Sequence, residues 1–324
     1  MKDDGDGWDQ TRAPVRWPAP RPMVAGRGGA ERKAPGVMKS PPADLDGRRR
    51  GAFDGGMIRL TSVHNARVKR AALLRDRASR DAQGLFLIEG YREVRRALDN
   101  GVRPVSLFVC PPFFLGENEA ELIARAAAAG ADVLECAEPV FRKLSYRDRP
   151  DGLLAVAPQR RRRLADLRLS ESPLLLVCEH IEKPGNLGTM LRTADAAGVE
   201  AVIVCDRCTD IHNPNVVRAS VGALFCVPVA EASSEEALAW LKARGLRVVA
   251  ATPSASKDYT EADLRGGTAI VVGAEQYGLS PPWLNGADER VRIPMRGQCD
   301  SLNVAAAATI LVYEAVRQRR ATNS

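Results

Sequence analysis

The sequence predicts an α/β protein with two successive α/β domains. Short apolar runs alternate with longer segments of helical pattern along most of the chain, which is typical of α/β folds. In the second half these runs are continuously apolar, so we expect a mostly parallel sheet that is covered on both faces. The length of 324 residues also suits two domains better than one.

Composition divides the chain further. Residues 1–56 contain ten Gly and seven Pro, a composition typical of disordered segments. We expect order to begin near Met57, which is also a candidate translation start. The first α/β domain is then residues 57–157, an arginine-rich linker covers 158–172, and the second domain is 173–320.

The first domain alternates helices and strands. Its strands are predicted at GLFLIEG, PVSLFVC, ADVLEC and GLLAVAP, and its helices at ARVKRAALLRDR, YREVRRALDNG, NEAELIARAAAAG and EPVFRKL. Between residues 58 and 103, eleven Lys or Arg residues oppose five Asp or Glu residues, and the whole chain has a formal net charge of +7. This excess favours an RNA-binding surface, with a merely solvated charged face as the alternative. Arginines 160–163 predict a solvated linker that is also able to contact phosphate.

The second domain supplies six more strands, predicted at LLLVCE, EAVIVCD, FCVPVA, LRVVAAT, TAIVVGAE and RVRIPM. Helices are expected at residues 186–197, 213–224, 233–245 and 301–320. The first half of the last helix is apolar almost all round, which predicts deep burial.

Several functional classes are poorly supported. No G-x-G-x-x-G lies between a strand and a helix, and the chain has neither a P-loop nor a G-x-S-x-G elbow. Cys205 and Cys208 form a single CxxC without the further ligands that zinc needs, so we expect no metal. No apolar run reaches the ~20 residues of a membrane span, and no signal-peptide pattern opens the chain. We therefore expect a cytoplasmic protein without membrane contact.

Three strands of the second domain end in unusual loops, and the first leads into a helix that Asn186 is predicted to cap. Gly188 and Arg192 are four residues apart and so share one face of this helix. The gap at Gly188 and the free N–H groups of the helix start favour an RNA phosphate or a reacting oxygen beside Arg192. The alternative, which this geometry by itself favours, is a surface ion pair between Arg192 and Asp195.

The other two loops also carry small or polar residues beside buried segments. Gly273 ends a buried strand and permits close approach of a ligand, with a tight strand-to-helix turn as the alternative, and Ser280 can start the next helix. Asp300 or Ser301 is expected to open the final helix. Ser301 and Asn303 then lie in its first turn, where polar side chains need partners and capping accounts for one of them.

Together these stretches resemble the three ordered motifs of the SpoU/TrmH family in the SPOUT superfamily of RNA ribose 2'-O-methyltransferases. The matching residues are N-x-G-x-x-x-R (Asn186, Gly188, Arg192), G-x-E-x-x-G-L-S (Gly273, Glu275, Gly278, Leu279, Ser280) and I-P-M-x-G-x-x-x-S-L-N-V (Ile293 to Val304). The resemblance covers about residues 173–318. The segment FLIEGYREVRRAL resembles the ribosomal-protein-L30e-like substrate-binding domain of the ribosomal-RNA branch.

The resemblance implies a trefoil-knotted second domain, a homodimer, an RNA partner and the cofactor S-adenosyl-L-methionine. It gives Arg192 the activating role in methyl transfer to a ribose 2'-hydroxyl, although a guanidinium, which is a poor base, suits charge stabilisation better than base chemistry. The implied catalytic residues are Arg192, Asn186, Glu275, Ser301 and Asn303. The implied cofactor contacts are Gly273, Ile293, Leu302 and Thr252. The expected RNA contacts are Arg67, Lys69, Arg70, Arg92 and Arg218.

Two departures from the family pattern lie close to these motifs. Lys183 stands where an acidic residue often precedes the Pro-Gly pair, and Asp300 adds a negative charge to the third motif. The function that we expect is 2'-O-methylation of a ribose in 23S ribosomal RNA. Transfer RNA is the alternative substrate, and a non-enzymatic RNA-binding or ribosome-assembly protein of the same fold is the alternative class.

Overall fold

Residues 58–322 are described by the structure, a computed structural model. The predicted disordered tail (1–56) and the candidate start at Met57 lie outside these residues. Within the described range, no helix combines the length and apolar character needed to cross a membrane.

The first sheet has five strands in the order β1-β4-β3-β5-β2, and β5 runs antiparallel to both of its neighbours. The strands are β1 (Ile58–Leu60), β2 (Leu85–Glu89), β3 (Ser106–Val109), β4 (Asp132–Cys136) and β5 (Leu153–Pro158). The helices are α1 (Ala66–Leu73), α2 (Arg77–Gln83), α3 (Tyr91–Asp99), α4 (Glu119–Ala128) and α5 (Glu138–Leu144).

The second sheet has seven strands, all parallel, in the order β10-β12-β9-β11-β6-β7-β8. The strands are β6 (Leu174–Glu179), β7 (Ala201–Cys205), β8 (Val229–Ala232), β9 (Arg247–Ala251), β10 (Lys257–Asp258), β11 (Thr268–Val272) and β12 (Glu289–Arg292). The helices are α6 (Pro184–Ala197), α7 (Pro214–Ser220), α8 (Ala223–Cys226), α9 (Ser234–Ala243), α10 (Pro281–Gly286) and α11 (Val304–Thr322).

Strand β6 shows how this sheet is buried. Successive side chains of a strand point to opposite faces, and on β6 both faces are apolar and closed to water. Leu176 belongs to a core that includes Met190 of α6 and Leu311 of α11. Val177 belongs to a second core that includes Trp283 of α10. The prediction of a parallel sheet covered on both faces is confirmed.

Some elements differ from their prediction. The segment FCVPVA was expected to form a strand, but Phe225 and Cys226 belong to α8 and β8 begins only at Val229. Short apolar runs do not distinguish a strand from a buried helical turn. The final helix is not buried all round, because Ala306 and Tyr313 of α11 are exposed.

The arginine-rich linker is exposed at arginines 160–163, as predicted for a solvated connector, and it also contacts both halves of the described chain. The Arg160 guanidinium donates to the carbonyl of Asn100 at 3.0 Å. Arg161 donates to the Asp81 carboxylate at 2.6 Å. Arg162 forms a parallel backbone bridge with Ala230 of β8. These contacts therefore hold the linker in place where the chain passes from the first sheet to the second.

A buried ion pair joins the two halves of the described chain, which form one compact unit. Arg80 of α2 donates from Nε and Nη2 to Asp210, in the segment before α7, at 2.9 and 2.8 Å. Its Nη1 donates to the carbonyls of Leu74 and Arg75. Both charged side chains are almost completely buried. Burial without partners would be costly for either charge, so the pair favours one arrangement of the two sheets.

Candidate active site

Three neighbouring strands end at one edge of the second sheet, and each is followed by a predicted cofactor residue. Thr252 follows β9, Gly273 follows β11 and Ile293 follows β12, and β9 lies between the other two strands. The Thr252 N–H donates to the Val291 carbonyl at 2.9 Å, which fixes the neighbouring strand ends. All three residues are half-buried. Leu302, which is 38% exposed, precedes α11.

Gly273 is required by the loop's own backbone. A Cβ atom at this position would lie 2.4 Å from the Gly278 carbonyl oxygen and 2.7 Å from the Leu279 nitrogen. The loop turns back tightly here, and the Gly278 N–H donates to the Ala274 carbonyl at 3.0 Å. This contact supports the alternative of a tight turn, while the approach of a ligand to the Gly273 backbone stays a prediction.

Each of the three motifs contributes one side chain to a hydrogen-bonded cluster. The Asn186 amide donates to Glu275 Oε1 at 2.8 Å. The Asn303 amide donates to the same oxygen at 2.8 Å and to Asn186 Oδ1 at 3.2 Å. The cluster of Asn186, Glu275 and Asn303, hereafter the amide–carboxylate cluster, thus joins α6, the loop after β11 and the start of α11.

The helix starts explain why both amides are free to reach Glu275. Helix α6 begins at Pro184, two residues before the predicted start, so Asn186 lies in its first turn and does not cap it. Asn303 Oδ1 accepts the N–H of Ala305 at 3.1 Å and thereby caps α11. Ser301 precedes α11 and is exposed, so its predicted place in the first turn is wrong.

Lys183 forms an ion pair with the second oxygen of Glu275, Oε2. The hydrogen bond from Lys183 is the largest cause that lowers the pKa of Glu275, and the bond from Asn186 adds to it. The same contact raises the pKa of Lys183. Glu275 is therefore held as a carboxylate that accepts from three donors.

Arg192 lies on the exposed face of α6. In the described part of the chain, no hydrogen bond or ion pair engages its guanidinium. The alternative of a surface ion pair with Asp195 is therefore wrong for this structure. Neither Arg192 nor Ser301 is hydrogen-bonded to the amide–carboxylate cluster. An exposed guanidinium without a partner is free to meet a phosphate or a developing oxyanion.

Gly188 has a packing role. A Cβ atom there would lie 2.5 Å from Ala219 Cβ and 2.8 Å from the Ser220 nitrogen. The space beside Gly188 is thus filled by the end of α7, and the prediction of room for an RNA ribose-phosphate at this glycine is wrong. The missing side chain allows α6 and α7 to pack closely.

Comparison with known proteins identifies the chain's relatives. Residues 173–313 match the model of the SpoU rRNA Methylase family, and residues 65–155 match the MRM3-like substrate binding domain. A 23S rRNA (uridine(2479)-2'-O)-methyltransferase of Streptomyces viridochromogenes is 32% identical over 282 residues, which cover 84% of this chain and 96% of the relative. The chain belongs to the SpoU rRNA methylase family.

Two solved structures have the same fold as this SpoU family member. A crystal structure of an RNA 2'-O ribose methyltransferase has 46% sequence identity and a TM-score of 0.72, and the match covers 81% of this chain and 100% of the other. An AdoMet-bound rRNA methyltransferase from Sinorhizobium meliloti has 34% identity and a TM-score of 0.75, over 81% and 98% of the two chains. The predicted family and α/β fold class are confirmed, while the knot and the likeness to L30e stay predictions.

The expected RNA contacts of this SpoU protein lie on its surface. Arg67 forms an exposed ion pair with Asp132, with 3.6 Å between the charged atoms. The other four side chains are exposed, and within the described residues they form no ion pair: Lys69, Arg70, Arg92 and Arg218. Four of the five expected contacts thus present free cations.

Glu179 is a residue of the site region that the sequence analysis missed. It is fully buried at the end of β6, where its oxygens accept from Ser234 Oγ and the Ser280 N–H, each at 2.9 Å. Trp283 Nε1 donates to Ser234 Oγ at 2.8 Å. This network holds the end of the loop that carries Glu275. The only signal in the sequence was an acidic residue that closes the apolar run LLLVCE.

Glu179 also belongs to the one group in the described residues whose ligand atoms lie close enough to share a cation. Its other members are His180 and Asp206. Both Glu179 oxygens already accept hydrogen bonds from serines, so we interpret the group as a hydrogen-bond network that supports the fold.

Proposed function

We propose that this protein is an S-adenosyl-L-methionine-dependent methyltransferase that methylates a ribose 2'-hydroxyl in 23S ribosomal RNA. The observation that carries the proposal is the amide–carboxylate cluster, which joins all three motifs beside the edge where β9, β11 and β12 end. A site that had lost its activity would not need a carboxylate that accepts hydrogen bonds from three donors. This argues for an enzyme over a binding protein of the same fold.

The residues at the strand ends fit the cofactor. Thr252, Gly273 and Ile293 stand side by side at the carboxyl edge of a parallel sheet, where ligands of α/β proteins commonly bind. Leu302 offers an exposed apolar side chain for the adenosine or methionine moiety. When bound there, the cofactor supplies an activated methyl group.

Arg192 is the residue that we assign to the reacting ribose. Its guanidinium keeps its charge, so it stabilises the developing alkoxide or holds the adjacent phosphate rather than acting as a base. The amide–carboxylate cluster fixes the loop after β11 relative to α6, which carries Arg192. We assign Ser301, which is exposed before α11, to contact with the substrate. The residues of the chain thus orient the reactants and favour loss of the hydroxyl proton.

Ribosomal RNA is favoured as the substrate by the first half of the chain. Residues 65–155 match a substrate-binding domain model, and free cations lie on its surface. The relative from Streptomyces viridochromogenes and the protein from Sinorhizobium meliloti both carry names of rRNA methyltransferases. We accordingly assign RNA binding to residues 57–157 and methyl transfer to 173–320, joined by 158–172. A ribosomal substrate also supports the cytoplasm as the place of action.

A homodimer is supported by the exposed face of α11. Ala306 and Tyr313 are exposed and Ile310 is half-buried, which leaves an apolar stripe along a helix that otherwise packs in the core. Apolar stripes of this kind suit association with a second copy. We propose that this face, beside α6, is where two copies meet.

The proposal is tested by replacing Arg192. Arg192→Ala should lower methyl transfer to a 23S ribosomal RNA transcript by at least about a hundredfold, because the charge that meets the developing alkoxide is lost. Cofactor affinity, measured by calorimetry, should stay within about twofold. Transfer is measured with radiolabelled S-adenosyl-L-methionine, and a transfer RNA pool is assayed in parallel.

Arg265→Ala is the matched control, since this exposed arginine precedes β11 at the opposite edge of the sheet and, within residues 58–322, forms an ion pair only with Asp263. It should methylate like the wild type. Full activity in Arg192→Ala would refute the assignment of that residue. Methylation of the transfer RNA pool alone would refute the ribosomal substrate, and cofactor binding without any transfer would favour the RNA-binding protein.

A further inference from the structure

Lys183 lies immediately before α6 and reaches across to the loop that follows β11. It occupies the N-cap position of α6 without using its side chain as a cap. Its Nζ forms an ion pair with Glu275 Oε2, while its side chain remains 66% exposed and that of Glu275 is 29% exposed. The ammonium therefore links the first motif to the second through a contact that the two asparagines do not make.

The two oxygens of Glu275 are divided between different donors. Oε2 accepts from Lys183, and Oε1 accepts from Asn186 and Asn303, each at 2.8 Å. The terminal torsion of a glutamate side chain is broad and roughly two-fold, so an unrestrained carboxylate rotates easily. An ammonium on one oxygen restrains that rotation and keeps the other oxygen toward the amides.

We propose that Lys183 is a positioning residue for methyl transfer, acting through Glu275 to keep the Asn186 and Asn303 amides in their places. The inference rests on the proposed methyltransferase function. It gives a role to a residue at which this chain departs from the family pattern. The lysine does not need to touch the RNA, because its partner is the carboxylate that organises the cluster.

A direct contact between Lys183 and an RNA phosphate is the competing role, and the kinetic constants separate the two. A positioning residue acts on the arrangement of the reacting groups, so its loss lowers kcat. A phosphate contact acts mainly on RNA binding, so its loss raises the KM for RNA and reduces its salt dependence. Only the positioning role requires Glu275.

The experiment compares Lys183→Met, Lys183→Arg, Glu275→Gln and the double variant Lys183→Met/Glu275→Gln, with a 23S ribosomal RNA transcript as substrate. Lys183→Met should lower kcat about threefold to fivefold, the range expected for an exposed ion pair, with the KM for RNA within about twofold. Lys183→Arg should recover most of the rate. In the Glu275→Gln background, Lys183→Met should have no further effect, because the partner charge is already absent.

Lys242→Met is the matched control, because Lys242 of α9 forms a similar exposed ion pair with Asp288 at 2.5 Å, remote from the motifs. Its kcat should equal that of the wild type. A raised KM for RNA with unchanged kcat, or effects that add to those of Glu275→Gln, would overturn the positioning role in favour of a phosphate contact. If the wild type is active and Lys183→Met has the same kcat and KM as the wild type, only the positioning role is overturned. A wild type without transfer overturns the proposed function, and the role with it.

Discussion

At Asn303 one side chain serves both the fold and the candidate site. Its Oδ1 accepts from the Ala305 N–H and caps α11, while its Nδ2 donates to Glu275 and Asn186. A single amide can do this because it carries an acceptor and two donors. The stability of α11 and the geometry of the site thus depend on the same residue.

We expect Asn303→Ala to lower the free energy of unfolding by about 1 kcal/mol, the usual cost of a lost cap, and to lower kcat on the order of tenfold. Denaturant unfolding and the methylation assay measure the two effects. Ser233→Ala is the control, since Ser233 caps α9 by accepting the Glu236 N–H at 3.1 Å, away from the motifs. It should show a similar loss of stability with unchanged kcat. If Asn303→Ala is destabilised but fully active, Asn303 caps α11 and has no role in methyl transfer.

Among the elements, α6 and α7 depend on each other most closely. Gly188 lets the backbone at Ala219 and Ser220 approach α6, and α7 in turn lies between α6 and β2 of the first sheet. The helix that carries Arg192 is therefore connected through α7 to the half of the chain that we assign to RNA binding. A glycine in the family motif accounts for this packing.

Gly188→Ala should destabilise the protein by about 1–3 kcal/mol, because the added methyl group overpacks the contact with α7. The midpoint of urea unfolding measures this change. Gly185→Ala is the control in the same helix, since a Cβ atom there meets nothing within 4 Å. It should be neutral or stabilising by up to about 1 kcal/mol, because alanine is the better helix former. Equal midpoints for the two variants would contradict the close packing at Gly188.

At the scale of the whole molecule, Arg80 and Asp210 join its two halves. Burial by itself raises the pKa of Asp210, but hydrogen bonds from His212 and Arg80 outweigh it and hold that pKa below its usual value. A carboxyl with a lowered folded pKa stabilises the fold above its unfolded pKa of about 3.9. That contribution is lost as the pH falls below this value.

Arg80→Met should cost about 3–5 kcal/mol of unfolding free energy at pH 7, because it leaves the Asp210 charge buried without its partner. The difference from the wild type should shrink as the pH falls below about 4, where the wild type loses the contribution of the pair. Urea unfolding across this pH range measures both effects. Arg77→Met is the control, since the Arg77 pair with Asp81 is exposed and should be worth at most about 1 kcal/mol. A difference that does not change with pH would contradict the role of the Asp210 charge.

The fold class, the family and the order of the motifs could be predicted from the residues of the chain alone. Continuous apolar runs such as LLLVC and TAIVV require burial on both faces, which only a covered parallel sheet provides. The resemblance of three motifs to the SpoU/TrmH pattern was what selected Asn186, Glu275 and Asn303 as candidate site residues. These properties depend on short stretches of the chain, so the residue pattern and composition of those stretches are enough to predict them.

Which side chains contact one another could not be predicted in this way and follows from the packing of the folded chain. The space beside Gly188, predicted as room for an RNA ribose-phosphate, is taken by Ala219, and the close approach of the Gly278 carbonyl makes Gly273 part of a tight turn. The contacts of Lys183 with Glu275 and of Arg80 with Asp210 join residues 92 and 130 positions apart. Periodicity reports which face of an element is buried but not what covers it, because contacts between distant segments depend on how the elements pack.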